Sequence, residues 1–178
     1  MTTEHAAPKL DKNDPDVIVR AYKFALKPTT SQEQKLRQHT GGARFVYNYL
    51  IAQWHDDIRT RIEEKERGVS KDELTPFTFK LSTYDMINYW NRTKRERAPW
   101  WLEVSKEISN DAAHRAYDSM KNWLDSKSGK RKGRRVGFPR FHKRGHHESC
   151  TFWAEPLRVN PVSYTHLTLP TTRIVRIY

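Results

Sequence analysis

Apolar residues recur along this chain in two rhythms, and the changes of rhythm mark its parts. From Val17 to Lys27 they alternate, with Tyr22, Phe24 and Leu26 on one face, until Pro28. Period two is the pattern of a strand with one buried face. From residue 31 the period lengthens to three or four. Ser31 with Gln34 matches a capping box, in which each side chain satisfies a backbone N–H left free at a helix start. Gly41-Gly42 reads as the end of that short helix, because glycine is a poor helix former. A second helix is expected over about 43–67. Its stripe is Ala43, Val46, Tyr47, Leu50, Trp54 and Ile58, and its second half is a charged, exposed face.

Residues 68–78 read as a loop. Ser82 with Asp85 can cap a third helix to about Arg97, with Tyr84, Ile87 and Trp90 inward. Pro99-Trp100-Trp101-Leu102 makes a hydrophobic corner. A fourth helix is expected from about Ser105 to Ser126, with Ile108, Ala112, Ala116, Met120, Trp123 and Leu124 as its stripe. Helical spacing of these aromatic and Met residues is the pattern of a core rather than of a ligand pocket. Residues 126–137 are rich in Gly, Lys and Arg and cannot bury a core. Phe138-Pro139-Arg140-Phe141 follows, and 149–153 returns to strand-like composition. The order strand, helices, basic loop, strand implies an α+β fold, mostly α by residue count. A helical module is inserted between strands of one β unit.

Composition narrows the class. The chain has 178 residues, enough for one domain or one domain with an inserted module. Cys150 is its one cysteine, which excludes an intramolecular disulfide and a Cys-only zinc site within one chain. Residues 1–16 are polar and read as a mobile tail. They lack the basic start and apolar stretch of a secretory signal. No run of about 18 apolar residues exists to span a membrane. The expectation is a soluble protein of a reducing compartment, with no membrane partner.

Charge is more informative. The net charge is +12, from 33 Lys and Arg against 21 Asp and Glu. Nine of those cations and no acid lie between Lys127 and His147, so the rest of the chain nets only +3. Surplus positive charge favours polyanions. Arg and Lys neutralise phosphates and release counterions, while Arg and Phe can stack on unpaired bases. The candidate nucleic-acid-binding residues are Lys23, Lys27, Arg44, Lys127, Lys130, Arg131, Lys132, Arg134, Arg135, Phe138, Arg140, Phe141, Lys143 and Arg144. One of the two phenylalanines could instead pin the loop to the core.

Catalysis finds little support. Most carboxylates sit beside Lys or Arg, as Glu63, Glu64 and Glu66 do with Lys65 and Arg67, which is the pattern of a solvated helix. Asp56-Asp57 is a pair, but adjacent helical residues diverge by about 100°. No Gly-rich phosphate loop or Gly-x-Ser-x-Gly occurs. His142, His146, His147 and Cys150 have the ligand types and close spacing that suit zinc. Cationic neighbours would disfavour a dication there yet favour thiolate at Cys150. The bland reading is polar histidines beside a phosphate-binding loop. No catalytic residue and no metal ligand is assigned. The first two expected helices resemble a helix-turn-helix, although Phe45 to Ile51 is apolar enough to be buried.

Three segments together resemble the start of the OrfB/TnpB proteins of bacterial insertion sequences. They are Ala21-Tyr22-Lys23-Phe24-Ala25-Leu26-Lys27-Pro28-Thr29, then Gln32-Glu33-Gln34, then Arg44-Phe45-Val46-Tyr47-Asn48. Gly137-Phe138-Pro139-Arg140-Phe141 looks like the same family's Gly-x-Pro-Arg-Phe segment. The resemblance spans about 17–155 and is poor over about 55–100. It implies an RNA-guided DNA endonuclease whose first half is a β-barrel wedge domain interrupted by a helical recognition domain. On that reading residues 1–16 are a tail and 17–28 the first wedge strand. Residues 29–128 are the recognition module, with a helix-turn-helix at 31–67, and 129–161 are the basic loop and returning wedge strands. The implied partners are guide RNA and DNA. The family's RuvC-like nuclease with its magnesium-binding Asp, Glu and Asp, and its Cys-x-x-Cys zinc ribbon, match no residue here. This chain is therefore expected to be no enzyme by itself and to hold no cofactor. Magnesium and zinc would belong to a longer parent. The alternative is a free-standing helix-turn-helix regulator that binds a symmetric duplex site as a dimer. A weaker one is a module whose basic loop meets acidic protein or membrane surface.

Residues 162–178 match nothing around them. The codons TCT TAT ACA CAT CTG ACG CTG CCG ACG encode Ser163 to Thr171. That string resembles a transposon-end adapter used in preparing sequencing libraries. The natural frame is expected to be replaced after about Pro161 by translated adapter, and a real β-hairpin is the other reading.

Overall fold

The structure is a computed structural model, and it describes residues 27–146, 149–153 and 174–177. Its elements are α1 (Thr30–Glu66), α2 (Thr83–Arg97), a 3-10 turn (Pro99–Glu103), α3 (Lys106–Lys127), β1 (Cys150–Trp153) and β2 (Ile174–Ile177). The fold is mostly helical. Among the described residues the β part is one antiparallel ladder, with Cys150 opposite Ile177 and Trp153 opposite Ile174. The expected first strand, 17–28, lies outside the described residues except for Lys27 and Pro28, which have no regular structure.

The first helix starts earlier than expected. Its cap is Thr29, not Ser31. The Thr29 hydroxyl accepts from the Gln32 amide at 3.4 Å, and the Gln32 side chain accepts from the Thr29 amide at 2.9 Å. Capping at the hydroxyl next to Pro28 frees Thr30 and Ser31 to join the helix, and the Glu33 amide then closes on the Thr29 carbonyl at 2.8 Å.

Gly41-Gly42 does not end the helix. α1 runs 37 residues without a break, roughly 55 Å at 1.5 Å per residue. Two glycines cost a helix about 2 kcal/mol together. Burial of Ala43, Val46, Tyr47, Leu50, Ile51 and Trp54 on one face outweighs that. A side chain on Gly42 would place its Cβ 3.1 Å from Val104 Cγ1 and 3.2 Å from Trp101 Cζ3. That glycine therefore serves close packing rather than a turn.

α3 is the central support. It packs on α1, α2 and β1. Ile108, Ala112, Ala113, Ala116 and Met120 are buried; the helix begins where expected, and Ser105 caps it. Trp123 and Leu124, also expected in the stripe, are half-buried. Ser82 caps α2 by accepting from the Asp85 amide, and Met86 and Trp90 point inward. Tyr84 does not: it is 73% exposed. It sits two residues before Met86, about 200° round the helix. The 99–103 corner splits likewise. Trp101 is buried edge-on against Trp90 at 4.8 Å, while Trp100 and Leu102 face out.

Carboxylates on α1 hold the 68–81 connection. Asp57 accepts from the Thr78 amide and hydroxyl, both at 2.9 Å. Glu64 accepts from the Thr75 amide and hydroxyl, which hold its carboxylate below the usual range. No helix among the described residues is long and apolar enough to cross a membrane.

Candidate nucleic-acid interface

The basic segment leaves α3 at Ser128. Gly129 and Gly133 then take φ of +74° and +101°, a region that side chains other than glycine's enter at a cost. The chain folds back on the helix end. The Arg131 amide donates to the Asp125 carbonyl at 3.1 Å, and the Val136 amide donates to the Ser126 hydroxyl at 2.9 Å. Phe138 completes the attachment, edge-on to Trp123 at 5.1 Å and to His55 at 5.5 Å.

The segment next crosses α1. The Asn48 side chain pairs with the backbone of His142 through two hydrogen bonds. The His142 ring lies on Tyr47 at 3.8 Å with 4° between planes. Tyr47 is itself fixed, its hydroxyl donating to Ser119 of α3, and burial raises its pKa. Beyond this crossing Arg115 of α3 takes over. It pairs with buried Asp111 at 2.9 Å and donates to the Ser149 hydroxyl at 2.8 Å. The Asp111 carboxylate also accepts from the Thr151 amide.

The nine cations are all exposed: Lys127 at the end of α3, and Lys130, Arg131, Lys132, Arg134, Arg135, Arg140, Lys143 and Arg144 on this braced loop. Among the described residues none of the nine is in an ion pair. Lys127 reaches the Trp123 ring at 5.4 Å, and the Arg131 guanidinium donates to the Arg134 carbonyl. The two phenylalanines divide: Phe138 is the pin, and Phe141 is 55% exposed. Arg44 lies half-buried on α1 at the crossing. Lys27 is exposed ahead of the α1 cap, and the structure gives it no contact with the loop. Lys23 lies outside the described residues.

Sequence reasoning missed the groove beside the crossing. It is lined by Arg37, Gln38, Gly41, Phe45, Tyr49 and Trp100 in addition to Arg44, Asn48 and Phe141, with a volume near 630 Å³. The signal available was the corner at 99–102, but nothing in the pattern says that Trp100 faces out over α1.

Of the four residues with zinc-ligand chemistry, His142, His146 and Cys150 are described. No three His, Cys, Asp or Glu side chains converge among the described residues. His142 is stacked on Tyr47, and His147 lies outside the described residues. Cys150 is fully buried, and burial pushes its thiol up to about 11, with Asp111 adding to the shift and Arg115 opposing it. The thiol form is thus favoured over the thiolate that cationic neighbours would favour, because desolvation outweighs the one nearby cation. Asp56 and Asp57 diverge: Asp56 faces Arg59 at 3.3 Å, while Asp57 holds Thr78.

Residues 18–63 match the family profile described as "Helix-turn-helix domain" of OrfB proteins of the IS605 type. Two relatives named "Putative RNA-guided DNA endonuclease", from Mycobacterium tuberculosis strains CDC 1551 and H37Rv, are each 32% identical over 169 residues. That covers 90% of this chain and 34% of each relative, so the chain spans about a third of the curated relatives it matches. No solved structure matches. With a helix-turn-helix domain match near one end and a likeness to the two relatives that runs through the basic loop, the chain is similar to OrfB proteins of insertion sequences over most of its length.

Proposed function

We propose that this chain is the nucleic-acid-binding part of a TnpB-like RNA-guided DNA endonuclease. Its role is to hold guide RNA, its heteroduplex and target-adjacent DNA. The observation that carries this reading is the basic loop. Nine exposed cations without acidic partners among the described residues ride on a segment braced at Trp123, Asn48 and Arg115. A solvated tail needs no such bracing. A surface that must present phosphate contacts in register does. Residues 17–28 and 149–153 would be strands of the wedge, and 29–128 the recognition module between them. The chemistry of cleavage, with its magnesium and zinc, would reside in the part of a longer parent that this chain does not match. No ligand set for either metal occurs among the described residues, and no step is assigned to them.

The helix-turn-helix description of the matched domain favours duplex DNA as one partner. A regulator that reads bases with residues 43–67 needs a turn before residue 43, and α1 has none.

The test is electrostatic. Replacing Arg131, Arg134, Arg135 and Arg140 together by Gln should weaken binding to structured RNA and to duplex DNA. It should also lower the slope of log K against log salt, by up to about 0.9 per lost contact on duplex DNA and about 0.7 on single strands. An unchanged slope would overturn the assignment.

A further inference from the structure

The groove beside α1 is not explained by phosphate binding. Its floor is one face of the helix, where Gly41, Phe45, Asn48, Tyr49 and Ala52 follow at intervals of one to four residues. Trp100 forms one wall from the 3-10 turn, and Phe141 the other boundary from the basic loop. Trp100 is 43% exposed although it packs edge-on to Phe45 at 5.5 Å. Phe141 is held in place by the Asn48 bonds to the very next residue, yet it is more exposed still. Trp100, fixed against Phe45, and Phe141, beside an anchored backbone, thus both keep ring surface in solvent. They do so beside a loop with nine cations and no acid between residues 127 and 146.

Charge complementarity selects the occupant. An apolar, aromatic-walled groove with a cationic border fits a ligand with flat apolar faces and an anionic backbone. Unpaired nucleotides have both, whereas a duplex hides its base faces. We propose that this groove seats unpaired bases of a single strand, stacked on Trp100 and Phe141, with the phosphates on the adjoining basic loop. The inference rests on the nucleic-acid reading above and adds to it the state of the strand and the residues that meet the bases.

The test uses the full chain and four probes: a 12-nucleotide DNA strand, the same sequence as RNA, the DNA strand with abasic sites, and the DNA duplex. Two variants block or strip the groove. Gly41→Leu fills it, since a Cβ there meets nothing within 4 Å, and leucine favours the helix that glycine weakens. Trp100→Ala with Phe141→Ala removes the stacking faces. The unmodified chain should bind the base-bearing strand about tenfold tighter than the abasic one, the scale of one stacked base. In both variants that preference should vanish while the salt slope stays, because no phosphate contact is lost. Equal loss on RNA and DNA supports stacking on either strand. Loss confined to one supports stacking and names the source. Equal binding of abasic and base-bearing strands by the unmodified chain, or a preference that survives Gly41→Leu, overturns the proposal while leaving the charge reading intact. Binding to none of the four probes at low salt overturns both.

Discussion

Asn48 and His142, 94 residues apart, are joined reciprocally: the Asn48 amide donates to the His142 carbonyl at 3.0 Å, and its oxygen accepts from the His142 amide at 2.8 Å. A side chain on a helix thereby satisfies both backbone hydrogen-bonding groups of one loop residue. The contact also joins the two most specific motifs of the chain, since Arg44 to Asn48 ends on it and Gly137 to Phe141 leads into it.

Asn48→Ala should therefore loosen the basic loop more than it destabilises the fold. Both bonds are solvent-exposed, and each contributes about 1 kcal/mol at most. Limited trypsin digestion should cut after Arg140, Lys143 and Arg144 several-fold faster, with the thermal midpoint nearly unchanged. Unaltered cleavage rates would mean that the Tyr47–His142 stack holds the crossing alone.

The neighbouring glycines should respond with opposite signs. Gly41→Ala puts a methyl into open space and should stabilise α1 by about 0.5–1 kcal/mol. Gly42→Ala drives a methyl against Trp101 and Val104 and should cost about 1–3 kcal/mol. Urea denaturation of the two variants reads both. Destabilisation by Gly41→Ala would revive a turn at that point.

Asp111 and Arg115 fasten β1 to α3. Asp111→Ala should cost about 3 kcal/mol, near the low end for breaking a buried pair, because Arg115 keeps partial contact with water. Arg115→Ala should be costly too, since it strands a buried carboxylate. A double-mutant cycle should show the double variant losing clearly less than the sum of the two. Simple additivity would contradict the pairing.

Cys150 sets an alkaline limit. Its thiol is raised from 9.0 to about 11 in the folded chain. The neutral form is thus favoured on folding, so the associated stability is complete below pH 9 and lost as pH rises through about 11. The stability of the parent chain relative to Cys150→Ala should fall across that window. Iodoacetamide should label the native thiol slowly at pH 8 and the urea-unfolded one at the rate of a free cysteine.

At the source locus, sequencing past codon 161 with primers near codon 130 should show a frame that departs from residues 162–178 and continues into a nuclease. Independent reads that still encode Ser163 to Thr171 would show that segment to be natural.

The sequence by itself determined most of the helical framework. Ser82 announces α2 because a cap acts within one helical turn, and that information is wholly local. The stripe from Ala43 to Trp54 and the one from Ile108 to Met120 were legible for the same reason: period alone tells which face is buried. The concentration of nine cations in one loop needed only counting.

The tertiary structure decided whatever depends on a distant neighbour. Gly42 looks like a helix end until Trp101 and Val104, 59 and 62 residues further along the chain, are seen to crowd the place a side chain there would take. Ser31 reads as the cap until the structure shows the reciprocal Thr29–Gln32 pair closing the helix two residues earlier. Tyr84 and Trp100 read as apolar anchors, yet which face meets α1 or α3 is set by helix rotation and crossing, not by composition. Phe138 and Phe141 are three residues apart and chemically identical. Only Trp123 and His55 on one side, and the Asn48 crossing on the other, make one a pin and the other an open ring. The physical reason is common to all of these. Propensity and period are properties of a few consecutive residues, whereas close packing and exposure are properties of pairs that the chain brings together only by folding.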